Sequence, residues 1–121
     1  MCALVAAIIL ACAALPAIAG EADVVAANAM RAADGTWTFT VTIRSHDKGI
    51  NYYCDRFEVI SPAGGVLGVR ELDHPHVNEQ PFTRELAGVK VPPGIGHGVL
   101  IRAHHNVAGY TGSTVKIRLR N

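Results

Sequence analysis

Between Asp73 and Arg84 the chain reads Asp-His-Pro-His-Val-Asn-Glu-Gln-Pro-Phe-Thr-Arg, placing two imidazoles, two carboxylates, two amides and a guanidinium in one short stretch. In extended backbone, residues two apart face the same way, and Pro75 keeps His74 extended. His74 and His76 can therefore serve one ligand together. If that ligand is a metal, neutral imidazole nitrogens must stand about 2.0–2.1 Å from a Zn²⁺ ion, and a further donor must come from elsewhere. His104, His46 and Cys54 are the candidates for that donor. Copper suits such ligands as well as zinc. If the ligand is a protein or small molecule, His74, His76, Glu79, Arg84 and His104 make a polar binding rim. Part of the stretch has a structural use in either case: Glu79 and Arg84 are expected to pair and order the loop, and Pro81 to return Phe82 to the core.

Other chemistries find no template. Ser45, Ser61 and Ser113 lie outside any Gly-x-Ser-x-Gly setting. Cys54 stands between Tyr53 and Asp55 without the positive surroundings that activate a thiolate. Gly64-Gly65 ends a strand without opening a helix, so no phosphate loop is formed. Eleven Lys and Arg against ten Asp and Glu leave no long-range field for nucleic acid or an anionic membrane. The balance is against an enzyme.

The elements that position these residues are strands. Trp37, Phe39, Val41 and Ile43 alternate with threonines after the tight-turn pair Asp34-Gly35, which marks a half-buried strand closing a hairpin. Ala22–Ala33 suits helix or strand by its alanines, and the hairpin favours strand. Tyr53, Asp55, Phe57 and Val59 alternate with Tyr52, Cys54, Arg56 and Glu58 in a third strand that stops at Ser61-Pro62. Val66–Leu72 is a short fourth, with Gly68 marking an edge or a bulge. Phe82–Val91, then Val99, Ile101 and Ala103, then Val115, Ile117 and Leu119 supply three more. Seven short strands at this spacing imply an all-β, two-sheet antiparallel sandwich.

Met1–Ala19 carries no charge and holds the apolar run Ala3–Leu15 before Pro16 and Ala17-Ile18-Ala19, the pattern of a secretory signal cleaved after Ala19. Its rivals are an uncleaved anchor and a lipoprotein signal with the lipid on Cys12. Residues 20–121 then form one domain, periplasmic or secreted, as a monomer or weak dimer. Removal of Cys2 and Cys12 leaves Cys54 alone, with no internal disulfide, as a buried strand residue, a metal ligand or an intermolecular bridge.

Leu86-Ala87-Gly88-Val89, Pro93-Gly94, Val99-Leu100-Ile101-Arg102-Ala103 and Ala108-Gly109-Tyr110 are similar to the second half of a fibronectin type III domain, an immunoglobulin-like fold. His74-Pro75-His76 with Glu79-Gln80-Pro81-Phe82-Thr83-Arg84 resembles a family of small exported bacterial proteins with no assigned activity. The first resemblance implies seven strands in the order A, B, C, C′, E, F, G. His46, His74, His76, His104, His105 and Cys54 would then share one end, and His97 the other. The expectation is an exported accessory or binding module, with a periplasmic Cu- or Zn-binding protein as the alternative.

Overall fold

The computed structural model describes residues 19–95 and 98–120. Residues 1–18 of the expected signal peptide, Cys12 among them, and His97 lie outside them. Among the described residues there are seven strands: β1 (Ala22–Arg31), β2 (Trp37–Ser45), β3 (Cys54–Ile60), β4 (Val66–Glu71), β5 (Phe82–Val89), β6 (Val99–His105) and β7 (Val115–Ile117). They form two antiparallel sheets, β1-β2-β5 and β4-β3-β6-β7. Among the described residues no helix is long and apolar enough to cross a membrane.

β1 resolves the ambiguity of its alanines. It pairs with β2 from Ala22 opposite Ser45 to Arg31 opposite Trp37, interrupted by a bulge between Val24 and Ala26. Pairing along a whole strand outweighs a weak intrinsic preference. The joining turn needs Gly35, whose φ of 89° is costly for any residue with a Cβ. Asp34 Oδ1 accepts from the Thr36 amide (3.0 Å) and hydroxyl (2.7 Å), which fixes the turn.

Trp37, Phe39, Val41 and Ile43 from β2 meet Phe57 and Val59 from β3 and Val99, Ile101 and Ala103 from β6 in one core, closed by Leu72, Phe82 and Val89. Cys54 belongs to this core with 0% exposure. Simple alternation puts it on the wet face with Arg56 and Glu58. A register shift between Cys54 and Arg56 in the β3–β6 pairing turns it inward instead. Several ends differ from the alternation pattern by one or two residues: β3 starts at Cys54, β4 stops at Glu71, β5 at Val89 and β7 at Ile117. Gly68 lies on an edge strand, as expected. A Cβ there would stand 3.0 Å from Leu86 Cδ2, so the free edges of β4 and β5 touch at this point.

The pairings Ala22–Ser45, Ile43–Phe82 and Cys54–His105 set the start of β1 and the loops 46–53, 72–81 and 106–114 at one pole. The chain is tightest where Gly112 of the last loop meets β1: a Cβ on Gly112 would collide with the Ala22 carbonyl. Backbone cannot yield there as a flexible side chain would. Gly112→Ala should cost about 2–3 kcal/mol of stability, read as a lower urea midpoint, and an unchanged midpoint would contradict the packing described.

Candidate functional site

Asp47 organises the pole. Its buried carboxylate accepts from the Cys54 amide through Oδ1 (2.9 Å) and from the His76 amide through Oδ2 (2.8 Å). One side chain of the 46–53 loop thus fixes both the start of β3 and the middle of the 72–81 loop. Gln80 ties the same loop to β2: Oε1 accepts from the Ser45 amide (2.8 Å), while Nε2 donates to Ser45 Oγ (3.1 Å) and the His76 carbonyl (2.8 Å). A cis Gln80–Pro81 bond then leads into Phe82, which is 1% exposed. The return of that ring to the core matches the sequence expectation.

His76 lies flat on Phe82, ring centroids 4.0 Å apart and planes 10° apart. Its side chain is 3% exposed, and neither ring nitrogen has a hydrogen-bond partner. Nδ1 stands 4.0 Å from Asp47 Oδ2, beyond hydrogen-bond reach. Burial, then the charges of Arg84 and His74, hold its pKa below the ordinary 6.5. His74 is exposed beside it, centroids 4.6 Å apart, with Nδ1 donating to the Pro75 carbonyl (3.0 Å). Arg84 pairs with Glu79 as expected, Nη2 to Oε1 at 3.0 Å, and this hydrogen bond keeps the Glu79 carboxyl below its usual range. His74, His76, Val77, Asn78 and Glu79 line an open depression at the loop's tip.

The other histidines of this end of the sandwich have contacts of their own. His104 faces outward from the four-stranded sheet, opposite Arg56, and its Nδ1 donates to Asp55 Oδ1 at 2.7 Å. His46 sits against Glu21, Nδ1 to Oε1 at 3.5 Å. His105 is fully buried: Nδ1 accepts from the Val107 and Ala108 amides (3.1 and 3.2 Å) and the ring meets Tyr52 edge-on. It caps a turn.

The expected metal set is not assembled. Among the described residues no group of three His, Cys, Asp or Glu is placed to hold an ion. His74 and His76 are neighbours, but His104 is committed to Asp55 and His46 to Glu21. The Cys54 thiol points into the core, where burial, reinforced by the Asp47 charge, pushes its pKa up to about 12. A neutral, enclosed thiol is a poor ligand and a poor nucleophile.

Sequence reading missed Asp47, Gln80 and a cluster on the outer face of the larger sheet. There Glu58, 4% exposed, accepts from Arg102 Nε (2.8 Å), Arg56 Nε (2.8 Å) and the Tyr110 hydroxyl (2.8 Å). Arg102 also lies over the Tyr110 ring at 4.0 Å. Burial alone would raise the Glu58 pKa, but the three donors outweigh it and hold the carboxyl below its ordinary 4.5. The sequence signal was the opposite charge on Glu58 and Arg102, which the strand register brings face to face.

Asp47→Ala should destabilise the domain by roughly 3 kcal/mol, because two backbone amides lose their buried acceptor. Hydrogen exchange should then quicken at Cys54 and His76 before the β2 core, and uniform exchange would refute the anchoring role. In the native protein Cys54 should resist a thiol reagent at pH 8 and react only on unfolding.

No family model matches the chain, and no solved structure matches it. It is similar to a protein of Halomicrobium mukohataei named "Putative lipoprotein", 36% identical over 97 residues, which make up 80% of this chain and 47% of that protein. The chain thus spans about half the length of the curated relative it matches.

Proposed function

We propose that the chain is an exported binding module with a fibronectin type III-like sandwich, held at the cell envelope, whose 72–81 loop recognises a partner protein or small ligand. The order β1-β2-β5 against β4-β3-β6-β7 supports the fold type, since it corresponds to A-B-E against C′-C-F-G. The uncharged leader and the relative's name support export, and the name adds weight to a lipid on Cys12 over cleavage after Ala19. A periplasmic or secreted location follows from either.

His76 carries the binding reading. A loop built only for stability would put an apolar ring on Phe82. Here an imidazole is buried with both nitrogens unpaired, at a cost of about 1–3 kcal/mol. A buried polar group without a partner calls for an explanation, and a bound ligand that supplies the missing partner is one. Around it the loop is pinned by Asp47 and Gln80 while His74, Asn78 and Glu79 stay exposed, the arrangement of a preorganised recognition loop.

Two measurements test the reading. His76→Phe should raise stability by about 1–2 kcal/mol and remove one acid-dependent loss. Because folding depresses the His76 pKa, the unfolded chain takes up that proton first. Stability present above pH 6.5 is therefore lost as pH falls below it, and the variant should lack this step. A second step, from Glu58, begins only below pH 4.5 and should persist. For recognition itself, a photo-crosslinking residue at Asn78 in the full chain should give a discrete adduct that His74→Ala with His76→Phe abolishes. The same residue at Ala63, at the opposite pole, should give none. Equal adducts from both positions would sink the proposal.

A further inference from the structure

Each of the three loops at the His-bearing pole exposes one large aliphatic side chain: Ile50 (60% exposed), Val77 (52%) and Val107 (63%). These residues are remote in sequence, but their loops are fastened to one another. Asn106 Nδ2 donates to the Ile50 carbonyl (3.2 Å), and Asn106 and Tyr53 exchange two further bonds of 2.9 Å. Asp47 holds His76, the residue before Val77. Three apolar tips are thus presented from one rigid end, each flanked by polar residues such as Lys48, Asn51, Asn78 and Asn106.

The chain also enters the domain at this pole. Ala22 pairs with Ser45, the Glu21 carbonyl accepts from the His46 amide (2.9 Å), and the Tyr52 hydroxyl donates to Glu21 Oε1 (2.6 Å). Cys12 stands nine residues before Glu21, a reach of at most about 30 Å even fully extended. An anchor in the leader or on Cys12 would therefore turn this pole toward the bilayer, and the opposite pole away from it.

From these two observations we infer that the pole docks on a lipid surface, with Ile50, Val77 and Val107 entering the interfacial layer. The inference rests on the export reading, and because Val77 lies between His76 and Asn78, docking would set the proposed recognition loop itself at the lipid surface. A lipid surface suits the tips better than a protein does. A tether this short brings the pole to a bilayer, and apolar tips set among polar residues suit the boundary between headgroups and acyl chains. The pole has no basic excess, since Lys48 faces Asp73 in sign, Glu79 is paired to Arg84 and Glu21 adds a half-buried carboxylate, so attraction comes from apolar burial and is insensitive to salt. Apolar insertion needs no basic surface, so the chain's near-neutral charge does not oppose it.

Brominated lipids test it on the full chain reconstituted in phosphatidylcholine vesicles. Ile50→Trp, Val77→Trp and Val107→Trp should each lose at least about half of the added emission when the acyl chains carry bromine, and high salt should not restore it. Ala63→Trp, at the far pole, should be unaffected. With Ile50→Asp and Val77→Asp present, Val107→Trp should escape quenching. Chains that float with the vesicles while all three tips stay unquenched overturn docking and leave the anchor standing. Chains that do not float overturn both, and unquenched tips that cross-link to another protein assign the pole to a protein partner instead.

Discussion

A carboxylate withdrawn from water must find donors, and Asp47 finds two backbone amides that belong to different segments. That need shapes the whole pole. Meeting it sets where β3 begins and holds a long stretch without regular structure against the end of β2. Gln80 makes the return tie, from the stretch back to Ser45 and to the His76 carbonyl. The most distinctive residues of the His-Pro-His to Thr-Arg segment consequently divide their labour. Gln80, Phe82 and the His76 backbone hold the loop, the Arg84–Glu79 pair stiffens it, and His74, Val77 and Asn78 are what it presents outward.

The sandwich was readable because period two depends only on neighbours in sequence. β2 and β6 keep it strictly, with Val41 and Ile101 inward and Thr40 and Arg102 outward. Cys54 escaped that logic because a bulge is set by strand pairing, which no local pattern reports. The shared pole was also readable, since it follows from strand order. What each side chain does there was not. His104 and His105 are adjacent, yet one meets Asp55 on the outer face and the other caps a turn inside. Whether a polar residue reaches out or holds the fold depends on partners tens of residues away, as Asp47 and Gln80 show.

The two sheets meet their polar needs differently. The smaller one pairs threonines across strands, as Thr42 does with Thr83 at 2.8 Å. On the larger one Glu58 is enclosed by two guanidiniums and a phenol, so that charge is nearly buried on a face that nominally meets solvent. Removing any one donor would leave the carboxylate short of compensation, which makes this face sensitive to substitution although it lies outside the core. Charge compensation and apolar packing are thereby kept on opposite sides of the same strands.

Cys54 bears on how the chain reaches its folded state. In an oxidising compartment an unpaired thiol invites mixed disulfides, and a reagent or a second chain can attack only a sulfur it can touch. Here the register shift at the head of β3 encloses the sulfur completely. Protection therefore arrives with the pairing of β3 and β6. Cross-linked by-products would be made in the interval before those two strands meet, so oxidative quality is governed by folding speed, and the bulge serves as a chemical safeguard as well as a geometric one.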